Sequence, residues 1–199
     1  MITDDIPTVE RHLRTVLLVV GPVVFAASTF FWLPGGTYGA TAGALMVAGL
    51  VLWAYGLLAL VDGLRTRLPR YAALVRLLVV GGLAGGVTFG VQGVYDEVFA
   101  LTRETSVGVL EPFGWQADVV FYWTGPLFPL ALLALGVGLG HARLVPWWPA
   151  VALGVCGVAF PLSRIPRETW VAHAVDGLLV VVFAYLAFRS ARAKTSYVI

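Results

Sequence analysis

The chain has 199 residues, of which 59% are hydrophobic and only 12% are charged, about half of the roughly 25% charged residues of an ordinary soluble domain. This composition excludes a soluble globular domain and predicts an integral membrane protein. The formal net charge is only +2, and the basic residues are spread over loops rather than along one helix, so we expect membrane lipids as partners and no nucleic acid.

The positions of the cysteine and the lysine exclude several kinds of functional site. The single cysteine, Cys156, lies in an apolar segment, which excludes an internal disulfide and a cysteine-ligated metal site. The only lysine, Lys194, lies in the polar tail, so no amine is available inside the membrane for a Schiff base. We therefore expect neither a bound metal nor a cofactor.

Long apolar segments predict an all-α, polytopic membrane protein, a bundle of six transmembrane helices in a single domain. The first segment has 18 residues, longer than the about 7 to 15 of a signal-peptide core, so we expect it to remain as a helix. A bilayer needs about 20 apolar residues per helix. The predicted helices cover about 16–33, 39–60, 71–94, 119–139, 144–162 and 169–188, and the polar link 95–118 joins the third to the fourth.

The arginines and lysine predict the orientation. With both termini cytoplasmic, the cytoplasmic segments hold ten of the 13 basic residues, and the outer links hold Arg103, Arg164 and Arg167. Cytoplasmic loops of membrane proteins carry an excess of lysine and arginine. We therefore predict that both termini are cytoplasmic, that the link 95–118 is extracytoplasmic and that the protein is a multi-pass protein of the plasma membrane.

Glycines recur in the third predicted helix at four-residue spacing, as Gly81 with Gly85 and Gly82 with Gly86. Small residues at this spacing let neighbouring helix backbones approach closely. The pattern predicts a central position for this helix and compact packing, and it is compatible with a homo-oligomer.

Asp176 is the acid that lies deepest in a predicted helix. Helical spacing places it on one face with His173, three residues before it. An ionisable residue inside hydrocarbon is costly and by default marks a functional site. The candidate catalytic residues are Asp176 and His173, with Asp96 and Asp118 near the outer ends of the third and fourth helices.

Aromatic, polar and basic side chains accompany these acids at the same depth. Partly buried carboxyl groups can stay protonated and act as general acids, and aromatic faces stabilise developing cations. The residues expected to bind substrate are Gln92, Tyr95, Glu97, Trp115, Tyr122, Trp123, Arg164, Arg167 and Trp170.

This pattern predicts a membrane-embedded enzyme that acts on a lipophilic, lipid or isoprenoid-like small molecule. Its chemistry would be carboxyl general acid–base catalysis, as in isomerisation or terpene cyclase-like cyclisation, in an aromatic-lined cavity at the extracytoplasmic end. The alternative is a non-catalytic transporter, channel or accessory membrane subunit in which the same acids conduct ions or bind a partner. An enzyme needs a closed cavity near the acids, whereas a transporter needs a polar route onward to the cytoplasm.

The order Ser163-Arg164, His173 and Asp176 resembles the third signature of the type-2 phosphatidic acid phosphatase family, in which arginine holds phosphate, histidine is the nucleophile and aspartate orients it. The signature has gaps of five and three residues, whereas the gaps here are eight and two, and the other two signatures are missing. We treat this resemblance as coincidental and keep a degenerate relative of that family as a minor alternative.

Overall fold

A computed structural model describes residues 7–34 and 37–192, so Lys194 lies outside the described residues. The described chain is helical and contains no strand. Its α-helices are α1 (Thr8–Ser28), α2 (Ala40–Arg65), α3 (Pro69–Val98), α4 (Arg103–Gly108), α5 (Gly114–Ala117), α6 (Leu127–His141), α7 (Trp147–Arg164) and α8 (Thr169–Arg192). The all-α prediction is confirmed for this part of the chain.

The long helices close into a ring. Each of α1, α2, α3, α6, α7 and α8 packs against the next in this order, and α8 packs against α1. Close contacts between glycines and facing helices show that neighbours are antiparallel: Gly157 of α7 lies against Pro129 of α6, and Gly136 of α6 lies against Ala150 of α7. The end of α3, the start of α6 and the end of α7 therefore lie at the same end of the ring. We call this the α4 end, because α4 follows the end of α3.

Five helical segments are long and apolar enough to cross a membrane among the described residues: Thr8–Phe31, Ala40–Arg65, Pro69–Val98, Arg103–His141 and Thr169–Arg192. The chain is therefore a multi-pass helical membrane protein. Helix α7 is not among the five, because its 18 residues begin with two tryptophans and a proline and end with Ser163 and Arg164. The predicted count of six spans stays a prediction.

The first predicted helix, 16–33, differs from the structure at both ends. Helix α1 begins at Thr8, directly after Pro7, and its polar first turns are stabilised by a 2.6 Å ion pair between Arg14 and Glu10, one helical turn apart. It ends at Ser28 and continues as a 3₁₀ turn, Thr29–Phe31. Hydropathy locates the apolar stretch of a helix but not its polar extension.

The fourth predicted helix, 119–139, is interrupted. A π-helical turn covers Asp118–Trp123, and α6 begins only at Leu127, after Pro126. Pro126 and Pro129 stand at the start of α6, where proline is tolerated because the first backbone N–H groups have no intrahelical partner.

Aromatic side chains fill the centre of the ring. Trp53 of α2 is fully buried and meets Phe183 edge-on, with ring centroids 4.7 Å apart, and Phe128 at 5.5 Å. Phe25 of α1 completes the cluster. Because these rings fill the middle of the bundle, open space is left towards the α4 end.

Candidate functional site

A cavity of about 750 Å³ lies at the α4 end, between α2, α3, α6 and α7. This volume falls within the roughly 300–1,000 Å³ of small-molecule binding sites. Its wall is largely apolar and includes seven aromatic residues. The aromatic lining residues are Phe25, Tyr38, Phe89, Phe121, Tyr122, Phe128 and Phe160.

Asp96 is the one acid that lines this cavity among the described residues, and it is 7% exposed. The hydroxyl of Ser106 donates a 2.6 Å hydrogen bond to Oδ1 of Asp96, and Nε2 of Gln92 donates to Ser106 Oγ at 2.8 Å. Ser106 belongs to α4, whose N-terminus is capped by Thr102. The hydrogen bonds therefore tie α4 to the end of α3 and hold a carboxyl group at the cavity wall.

Arg164 lines the cavity as well, but its charge is already balanced by Asp176. One guanidinium nitrogen, Nη2, donates to both carboxylate oxygens of Asp176, at 2.7 and 2.9 Å. The two side chains are 10% and 2% exposed. The guanidinium also lies 4.5 Å from the ring centroid of Phe160, a cation–π distance. Asp176 is thus held in an ion pair rather than poised as a free proton donor.

Arg167 is a third charged side chain at the cavity wall. Its Nε and Nη1 atoms are buried without a hydrogen-bond partner in the described part of the chain. Its guanidinium carbon lies 3.5 Å from the ring centroid of Tyr38, and burial lowers the pKa of Arg167. Its backbone has φ 60°, a left-handed conformation that is uncommon outside glycine.

His173 lies elsewhere, against α1. Its ring stacks on Phe30 with centroids 4.1 Å apart, and its Nδ1 lies 2.9 Å from the hydroxyl of Thr29. His173 does not line the cavity and does not meet Asp96. It joins α8 to the 3₁₀ turn that follows α1, and its predicted catalytic role stays a prediction.

The remaining predicted site residues stand outside the cavity, except Gln92 and Tyr122, which line it. Glu97 accepts a 2.5 Å hydrogen bond from the backbone N–H of Ala40 and so binds the first turn of α2. Tyr95 stacks on Phe99. The outward-facing residues are Tyr95, Trp115, Asp118, Trp123 and Trp170. Exposed tryptophans at the ends of membrane helices are typical of the membrane–water interface.

Tyr38, Arg103 and Ser106 are among the lining residues that sequence reasoning did not select. Arg103 donates a 2.8 Å hydrogen bond to the carbonyl oxygen of Ile165 and so links α4 to the end of α7. A signal for α4 was present, because Thr102 in front of an acidic first turn is a helix N-cap pattern. No comparable signal marks Tyr38.

The fold and the cavity define a multi-pass helical membrane protein with a small-molecule-sized site. Comparisons with family models, with curated proteins and with solved structures found no match to this chain. Within residues 7–34 and 37–192, no group of three His, Cys, Asp or Glu side chains could hold a metal ion.

Proposed function

We propose that the protein is a membrane-embedded enzyme that takes a lipophilic substrate into this cavity and that Asp96 exchanges a proton with it. The observation that carries the proposal is a buried carboxyl group on the wall of an aromatic cavity. Asp96 replaces Asp176 as the residue expected to act, because Asp176 is occupied by Arg164.

Access from the bilayer supports a lipophilic substrate. Leu130 of α6 and Val158 of α7 line the cavity and are 46% and 57% exposed. Tyr122 in the π-helical turn also lines the cavity and is exposed. We infer that the cavity opens sideways between these side chains, a route by which a molecule dissolved in lipid would reach it without crossing water.

The proposed chemistry needs no oxidant or second substrate. Asp96 donates its proton to a carbon–carbon double bond, and the nearby rings, such as Phe89 and Phe121, stabilise the resulting cation. Loss of a proton from a neighbouring carbon to the carboxylate then gives an isomer and restores the acid. If a second double bond attacks the cation before that loss, the product is cyclic.

We further propose that all six long helices span the plasma membrane, with both termini cytoplasmic and the α4 end outside. Helix α7 is about 27 Å long at 1.5 Å per residue, close to the roughly 30 Å of a hydrocarbon core. It stands between α6 and α8 in the ring. The excess of basic residues in the proposed cytoplasmic segments supports this orientation.

Reporter fusions test the topology. A reporter fused after Arg67 is expected to be active only in its cytoplasmic form, and one fused after Thr105 only in its external form. The measurement is the paired activity of a cytoplasmic and a periplasmic or extracellular reporter at each site. Cytoplasmic activity at Thr105 would overturn the orientation.

Asp96→Asn tests the catalytic role. This variant keeps the shape of the side chain but removes the proton, so turnover is expected to fall about 100-fold, within the usual contribution of a general acid. The measurement is mass spectrometry of lipid and isoprenoid extracts from cells expressing each variant, scored for a product that depends on the wild-type protein.

Asp118→Asn is the matched control, because Asp118 is an exposed acid that does not line the cavity. It should leave the product unchanged. Product formation that survives Asp96→Asn but is lost in Asp118→Asn would move the site out of the cavity. A lipophile that copurifies with the protein and is never converted would favour the transporter or accessory-subunit alternative.

A further inference from the structure

We propose that the polar end of the cavity binds the phosphate head of an amphiphile, with Arg167 as its principal ligand and the aromatic wall around its apolar tail. This inference deepens the proposed function, because it places the head of the ligand in the same cavity. The chemistry recognised is a phosphate or diphosphate ester on a long apolar chain.

The charge balance at this end favours an anion. Three arginines line the cavity, Arg103, Arg164 and Arg167, and Asp176 neutralises Arg164. Arg103 and Arg167 therefore face a single lining acid, Asp96. Two arginine charges against one carboxyl group leave this end of the cavity with a net positive charge, which favours an anionic head such as a phosphate ester.

The unpartnered donors of Arg167 indicate where the anion would bind. Buried polar groups are nearly always hydrogen-bonded, and a buried charge needs a partner of opposite sign. Within the described residues, the buried Nε and Nη1 atoms of Arg167 have no hydrogen-bond partner, although the side chain packs against the ring of Tyr38 and has a favourable charge interaction with Asp96. A phosphate oxygen in the cavity that Arg167 lines would supply the missing acceptor, and arginine is the residue best suited to phosphate.

The layout of the cavity orients such a ligand. Polar lining residues are gathered at the α4 end, while Leu50, Leu133 and Gly157 line the part that reaches into the bundle. A phosphate head near Arg167 would place its chain along the aromatic rings. This is also the arrangement of a lipid in a leaflet, with its head at the interface and its chain deeper.

The test compares dodecyl phosphate with dodecanol, dodecanoate and inorganic phosphate as probes for the full chain in maltoside micelles. Binding is measured as dissociation constants by titration, with thermal unfolding as a check on folding. We expect dodecyl phosphate to bind wild type at least tenfold more tightly than dodecanol. Arg167→Gln should remove that difference and leave dodecanol binding unchanged.

Arg143→Gln is the matched control, because Arg143 also has a positive φ, 52°, but lies outside the cavity lining, after α6. It should bind all probes like wild type. Should Arg167→Gln fail to fold, Arg167→Lys serves instead, because it keeps the charge but loses the Nε donor. It should weaken dodecyl phosphate binding, but the change in the logarithm of the dissociation constant should be less than half of the change expected for Arg167→Gln.

Val158→Trp separates this inference from the proposed function. It should block the side opening and weaken both dodecyl probes, whereas Val155→Trp, on an exposed residue of the same helix that does not line the cavity, should not. If dodecyl phosphate and dodecanol bind equally and both bind more weakly to Val158→Trp, the inference of a phosphate-binding site is wrong, but the proposal of a lipophilic cavity is supported. Equal binding of inorganic phosphate and dodecyl phosphate would show that the apolar chain does not contribute and would overturn the inference of an amphiphilic ligand. Tighter binding of dodecanoate than of dodecyl phosphate would overturn the preference for phosphate.

Discussion

Asp176→Asn is expected to destabilise the protein by about 3–5 kcal/mol, the usual cost of removing one partner of a buried ion pair. The asparagine leaves Arg164 charged in a site where it is 10% exposed. For a chain of this size, such a loss lowers the unfolding temperature by roughly 10 °C. The measurement is thermal unfolding in detergent micelles, followed by tryptophan fluorescence.

Two companion variants sharpen this prediction. Asp118→Asn removes an exposed carboxyl group and should leave the unfolding temperature unchanged. The double variant Arg164→Met/Asp176→Leu removes both charges and should recover most of the loss, because apolar residues often replace a buried ion pair without destabilisation. If Asp176→Asn unfolds like wild type but has lost turnover, the catalytic role predicted for Asp176 from the sequence is correct and the structural role is wrong.

Gly82→Ala is expected to destabilise the protein by about 3 kcal/mol, the upper end of the usual cost of overpacking a core. A Cβ atom on Gly82 would lie 2.5 Å from both the Cα and the backbone nitrogen of Phe128. Backbone atoms cannot rotate away as a side-chain tip can, so α3 and α6 would have to separate. Because Phe128 lines the cavity, ligand binding should weaken as well.

Gly63→Ala is the control for this effect. Gly63 lies within α2, and a Cβ atom added there would meet nothing within 4 Å. Alanine is the better helix former by about 1 kcal/mol, so this variant should be neutral or slightly stabilising. The measurement for both variants is the free energy of unfolding in mixed micelles. Equal losses for the two would show that the α3–α6 contact does not set the cost.

The candidate site was predictable only in part. Asp96, Gln92 and Tyr122 were selected from the sequence because they combine acid, amide and aromatic groups at the outer ends of helices, and all three line the cavity. Arg164 and Arg167 were selected as well. Spacing also selected Trp115, Trp123 and Trp170, which face outwards. A helical period tells which residues share a face but not which neighbour that face meets.

The sequence by itself determined that the protein is helical and multi-pass. Long apolar segments are local properties, and a bilayer admits them only as helices whose backbone hydrogen bonds are internal. It also determined the close approach of α3, because Gly82 and Gly85 have no side chain to keep a neighbouring helix away.

Only the tertiary structure decided which partners the acids contact. Asp176 lies on α8 and its partner Arg164 ends α7, whereas Asp96 on α3 meets Ser106 on α4. Each pairing depends on how one helix is rotated against another, and that rotation follows from packing over the whole ring. Arg167 illustrates the same point: its sequence context indicates a charged loop, but the fold places it at the cavity wall and buries its Nε and Nη1 atoms without a hydrogen-bond partner in the described part of the chain.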